Sequence, residues 1–197
     1  MGVQPLCVEP HRVLRTQAQP VETFTDDVRR LARDLIETTY ANDGIGLAAP
    51  QIGRTVQVFV ANPSQARGRE LVVVNPVLDT AEGRTAVVEG CLSLPNIWER
   101  VRRAARVRMR GQDASGRPLA LEAEGLLAIV LQHEFDHLQG RLFIDHLSWV
   151  RRCWLRMRRH FAARNVLRGQ RTDSCMFRRT MYARHVFWDR RVCAAKP

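Results

Sequence analysis

Residues 125–140 read GLLAIVLQHEFDHLQG, and no other stretch limits the possible folds as tightly. Its first half is apolar on every side of a helix, and a helix without a polar face has to run through a core. Gly140 follows the last periodic position and is placed to stop it. Into that buried setting the chain puts His133, Glu134, Asp136 and His137. Burying them without partners would cost on the order of several kcal/mol, so the helix needs something that satisfies them. At about 3.6 residues per turn, His133 and His137 project from one face roughly one turn apart, able to grip a single metal ion. Glu134 stands next to His133, placed to reach a water instead of the metal. This is the H-E-x-x-H arrangement, with histidines as ligands and glutamate as base.

The remainder predicts an α+β fold. Residues 21–40 read as a helix: Thr25 can cap it, Asp26 and Asp27 suit its positive end, and Val28, Leu31, Leu35, Ile36 and Tyr40 share a face. The run ANDGIGLAAPQIG ends that helix, because its glycines and proline cannot continue it. Strand-like runs follow at Val56, Val58 and Val60, at 71–74, at 106–110 and at 119–121, with Pro63, Gly68, Pro76, Gly83 and Pro95 between them. The expectation is a helix, then antiparallel sheets packed around a central metal-binding helix.

The third ligand decides the reaction class. A histidine six residues after His137 would make an extended three-histidine protease site, but that position is Phe143. A protease with a downstream glutamate ligand is disfavoured because Glu134 is the last glutamate in the sequence, which leaves Asp145 as a formal downstream carboxylate. Upstream, VVEGCLSLP offers Cys91 after a glycine, where a strand end can present its sulfur. Read from the residues alone, Cys91 is a ligand, a small buried hydrophobe, or a nucleophile that would need a histidine base.

Charge must be located before it is interpreted. The 197 residues carry a net +11, yet residues 1–150 hold 17 basic and 18 acidic side chains while 151–197 hold 14 and 2. The basicity belongs to the last quarter, so a nucleic-acid-binding reading of the whole body misplaces it. Residues 148–165 (SWVRRCWLRMRRHFAARN) predict a helix with Val150, Cys153, Trp154, Met157 and Phe161 along one side. No apolar run is long enough to span a bilayer, and MGVQPLCVEPH lacks the pattern of a secretory leader. Five irregularly spaced cysteines do not form a disulfide framework and suit a reducing compartment. The expectation is a protein acting in a bacterial-type cytoplasm, away from membranes.

GIGLAAPQ, EGCLS and HEFDH, in that order and at those separations, resemble the three signature motifs of the peptide deformylase family. The likeness also takes in residues 13–21 and GLLAIVLQHEFDHLQGRLFID, and covers roughly residues 5–150. It implies a metal-dependent hydrolase that removes the formyl group from N-formylmethionine at the start of newly synthesised polypeptides. It implies Cys91, His133 and His137 as ligands of one divalent ion, usually Fe²⁺, with zinc, nickel or cobalt as substitutes. Glu134 becomes the base, and the Gln51 amide and the Leu92 backbone N–H become the groups that stabilise the oxyanion. Gly44, Ile45 and Gly46 are expected beside the substrate backbone, and Ile45, Val87, Leu126, Ile129 and His133 around the methionine side chain, with Glu89 nearby. Trp98 stands where many bacterial members carry an arginine that helps hold the peptide. Asp136 is expected to orient its neighbours. In the family a C-terminal helix docks the enzyme near the ribosomal exit tunnel, so residues 1–147 are expected to be catalytic and the basic helix, 148–168, to contact ribosomal RNA or protein. Residues 169–197 form a basic tail with no readable structure. A metalloprotease, and a noncatalytic homologue using its basic tail on RNA, are the competing readings.

Overall fold

The structure is a computed structural model, and residues 2–155 and 157 are described. The first helix, α1 (Asp26–Ala41), leads through an edge strand, β1 (Gly46–Ala48), to β2 (Val58–Ala61) and the long β3 (Leu71–Glu82). A hairpin follows, β4 (Thr85–Cys91) and β5 (Leu94–Arg103), then β6 (Arg106–Gln112) and β7 (Pro118–Glu124). The chain then enters α2 (Gly125–Leu138), a 3-10 turn (Phe143–His146), and a helix, α3, that begins at residue 149. All strand pairs are antiparallel: five strands in the order β1-β2-β3-β6-β7, with β4 and β5 forming a separate two-stranded sheet. The α+β expectation stands.

Strand β2 shows how the sequence builds the layers. Successive side chains of a strand face opposite ways. Val58 and Val60 pack with Val28, Leu31 and Leu35 of α1, whereas Phe59 and Ala61 pack with Ala128, Val130 and Leu131 of α2. A strand covered on both faces is apolar at every position, which is why Val58–Ala61 are all buried. The helix α2 therefore lies in the interior, with a further cluster of Leu14, Cys91, Leu94, Val101, Leu142 and Phe143 joining the hairpin to its far end.

Helix α2 stops where expected. Gly140 adopts φ +68°, and a β-carbon there would meet the Arg15 carbonyl at 2.8 Å, so both conformation and room demand glycine. Helix α1 begins five residues later than the sequence pattern suggested, and Thr25, although it stands at the cap position, makes no side-chain capping bond. Only part of the predicted basic helix falls among the described residues. There Leu155 is buried and Cys153 half-buried, while Trp149, Val150, Trp154 and Met157 are exposed. Residues 158–197 lie outside the described residues, including the rest of the 148–168 helix and the 169–197 tail. Among the described residues no helix is long and apolar enough to cross a membrane.

Candidate active site

Two elements meet at the site. Helix α2 contributes His133, Glu134 and His137 from its buried length, and Cys91 arrives at the end of β4, before the tight Leu92-Ser93 turn into β5. One candidate donor atom each from Cys91, His133 and His137 lies within 4.8 Å of the other two, and all three residues are buried. The Cys91 Sγ is 3.3 Å from His137 Nε2. Thiolate plus two imidazoles is a donor set for a borderline or soft divalent ion such as zinc, iron, cobalt or nickel, and its compactness fits one ion. Burial pushes the His137 pKa well below the ordinary imidazole value, which favours the neutral form a ligand must have. Asp145 is not part of this cluster: it pairs with Arg15 and accepts from the Leu142 N–H at 2.8 Å.

Behind the histidines lies a buried charge ladder that the sequence reading did not find. Glu89 accepts Arg103 Nε at 2.7 Å on one oxygen and Arg103 Nη2 at 3.0 Å on the other. Its second oxygen also lies 2.8 Å from His133 Nδ1, an arrangement that assigns the proton to Nδ1 and leaves Nε2 for a metal. Arg103 Nη1 donates to Asp136 at 2.6 Å. Burial works against ionised Glu89, but the bonds from His133 and Arg103 outweigh it and hold the carboxyl below its usual range. Asp136 is likewise held at about 2, the contacts with His146 and Arg103 outweighing its burial. Asp136 is tied to Arg103 and His146 and is not one of the three clustered donors. The signal for Arg103 was present in the alternation of Glu99, Val101 and Arg103, which places all three on one face of β5.

Glu134 has a different environment. It is buried, and its Oε2 has no hydrogen-bond partner among the described residues. Burial raises its pKa from 4.5 to about 7, where a carboxyl can both take and give a proton near neutrality. Gly46 makes room for it: a β-carbon there would overlap the Glu134 carboxylate and sit 2.9 Å from Val130. Gln51 is buried in the 3-10 turn after β1, with Oε1 accepting from Ala48 N–H at 2.8 Å. That bond turns its Nε2 toward Cys91 Sγ at 3.5 Å and Ser93 Oγ at 3.3 Å.

The cleft over these groups is lined by Gly44, Ile45, Gly46, Gln51, Gly90, Cys91, Leu92, Val130, His133 and Glu134. The structure thus brings together most of the residues singled out in the sequence and adds Gly90 and Val130. Val87, Leu126 and Ile129 are not in that lining; Ile129 is buried and Val87 and Leu126 are half-buried. Glu89 is fully buried and engaged with His133 and Arg103, so its carboxylate is turned to them and not into the cleft. The Trp98 ring lies against Gly90 at the lip: a β-carbon on Gly90 would come within 2.5–2.8 Å of its atoms.

Comparison with known proteins decides the assignment. Residues 3–152 match the family profile described as polypeptide deformylase. A peptide deformylase of Alkalilimnicola ehrlichii is 46% identical over 157 residues, 79% of this chain and 88% of that one. The chain belongs to the peptide deformylase family. Among solved structures, a peptide deformylase from Legionella pneumophila superposes with TM-score 0.77 at 36% identity, covering 87% of this chain and 100% of that one. The peptide deformylase from Thermus thermophilus gives 0.76 at 44% identity, covering 82% and 96%. Peptide deformylases are metal-dependent hydrolases that remove the N-formyl group from nascent peptides, and the chain is one of them. The metalloprotease and the noncatalytic reading fall away.

Proposed function

We propose that Cys91, His133 and His137 hold the ion, with Fe²⁺ the native metal and Zn²⁺, Ni²⁺ or Co²⁺ able to replace it. When bound, the ion supplies a Lewis acid and lowers the pKa of water at the site. Glu134 takes the proton of the attacking water and hands it to the departing amine, so the formyl C–N bond breaks to give formate and a free N-terminus. Gln51 Nε2 donates to the oxyanion that develops on the formyl oxygen, and the Leu92 backbone N–H does the same from the turn. Glu89 fixes the His133 ring. The observation that carries this reading is the cluster of three donor atoms with an unpartnered buried carboxylate beside it.

Substrate binding follows from topology. Among the described residues strand β1 is the edge of its sheet, pairing only with β2, and Gly44, Ile45 and Gly46 line the cleft together with Gly90 and Leu92. An extended peptide adds to such an edge through its main chain. Val87, Leu126 and Ile129, with Ile45, are proposed to wall the methionine pocket once a substrate enters. Residues 1–147 serve as the catalytic unit, in the cytoplasm, and the basic 148–168 helix as its attachment to ribosomal RNA or protein near the exit tunnel. Support for attachment is the arginine content of that segment, less Arg151, which is committed to Glu99 at 2.9 Å.

The test is formate release from a formyl-Met tripeptide by anaerobically purified protein, beside cleavage of an N-acetylated protein substrate. Formate without internal cleavage is expected. Cleavage without formate would overturn the assignment. For attachment, a chain ending near Ser148 should keep that activity yet lose low-salt cosedimentation with ribosomes; equal cosedimentation would remove the role given to the basic helix.

A further inference from the structure

The charge ladder does not end at Asp136. His146, the last residue of the 3-10 turn, places Nε2 at 2.7 Å from Asp136 Oδ2 and 3.2 Å from Arg103 Nη1. We infer that His146 is a positioning residue for the metal centre, acting on the ligand His133 through Asp136, Arg103 and Glu89. The inference rests on the reading of Cys91, His133 and His137 as ligands.

Charge and geometry both lead there. The ladder holds two carboxylates, Glu89 and Asp136, against one guanidinium, so it has a surplus acceptor in a low-dielectric interior. An N–H of His146 aimed at Asp136 Oδ2 satisfies that surplus from the outside, where 33% of the His146 side chain meets solvent. Arg103 is a planar fork, and its three bonded nitrogens fix its orientation only while both carboxylates stay in place. Releasing Asp136 frees one end of the fork. The other end shares Glu89 Oε2 with His133 Nδ1, so a turn of the guanidinium moves the bond that sets the His133 ring. Groups that hold a ligand directly are typically worth 10–100-fold in metal affinity or activity. His146 stands further out, and a smaller effect follows.

The experiment uses the full-length protein loaded with Co²⁺, as wild type, His146→Phe and His146→Gln. Glutamine keeps an N–H at the place of Nε2, whereas phenylalanine keeps only the volume. Readouts are the visible Co²⁺ absorption, the rate of metal loss to a chelator, and kcat and KM on a formyl-Met tripeptide. His146→Phe should shift the Co²⁺ bands, speed metal loss roughly three- to tenfold, and lower kcat with KM within about twofold. His146→Gln should return all of these to within about twofold of wild type. A His146→Phe protein with wild-type bands and wild-type metal loss, whatever its melting temperature, would overturn the inference. If that variant does not fold, His146→Ala, which admits water at this partly exposed site, decides by the same bands. A wild-type protein with no thiolate-to-cobalt band would instead overturn the ligand reading, and the inference with it.

Discussion

Glu89, near the end of β4, and Glu134, on α2, are both buried next to His133, yet their surroundings put them in opposite states. Glu89 accepts from Arg103 on both oxygens and from His133 Nδ1, and those bonds keep it ionised against the cost of burial. Glu134 has an oxygen without a partner among the described residues, and burial lifts its pKa to about 7. Depth alone therefore does not set the state of a buried acid; what stands opposite it does. The hairpin's carboxylate is an anchor with its charge fixed. The helix's carboxylate is free to exchange a proton, and the two can sit side by side because Arg103 donates its hydrogen bonds to Glu89 and not to Glu134.

The largest effect expected is on metal content. Cys91→Ala should lose most bound metal and all deformylation, since a soft anionic donor is replaced by nothing. Metal analysis that still finds one tightly bound ion would remove Cys91 from the ligand set.

Titration of the metal-free protein should separate the two acids by sign. Folded Glu134 keeps its proton up to about pH 7, whereas the unfolded chain releases it near 4.5, so its contribution is present below that range and lost as pH rises through it. Glu134→Gln should therefore flatten the neutral side of the stability–pH curve, by up to roughly 3 kcal/mol. Glu89 is depressed, so its contribution is present above the ordinary carboxyl range and lost on acidification; Glu89→Gln should flatten the acid side instead. Urea melts across pH read both. Matching slopes for the two variants would erase the distinction.

The smallest effect is on affinity. Glu89→Gln should weaken metal binding about 10–100-fold, because an amide holds the His133 N–H less strongly and cannot pair with Arg103. Competition with a chelator measures it, and unchanged affinity would mean that Glu89 does not orient the ligand.

Helix α2 was readable from sequence because its two messages, apolar all round and H-E-x-x-H, agree on one buried element. The same was true of β2 and the start of β3, where β-branched runs face a core. The hairpin was not readable as strands, and the reason is physical. Its inner face carries Glu89, Glu99 and Arg103, while Val88 and Trp98 stand exposed on the outer side. Such a pattern blurs the usual apolar-in rule, because the inner face meets the buried His133 and Asp136 as well as the apolar cluster around Leu14 and Phe143. The alternation of β5 marks the face on which Arg103 lies but not its partners, and nothing local marks His146: each matters through a residue distant in sequence, and no local spacing announces a bond such as that from Arg103 to Glu89. Cys91, Gln51 and Leu92 had ordinary local alternatives and gained their expected roles from the motifs around them.

The central claim is that Glu134 moves a proton and does not bind the metal. Glu134→Gln, assayed for metal content and formate release on the same sample, tests it most directly. The account predicts about one ion per chain, as in wild type, with turnover reduced roughly 10²–10⁴-fold. A variant that has lost its metal, or one that turns over near the wild-type rate, would contradict it.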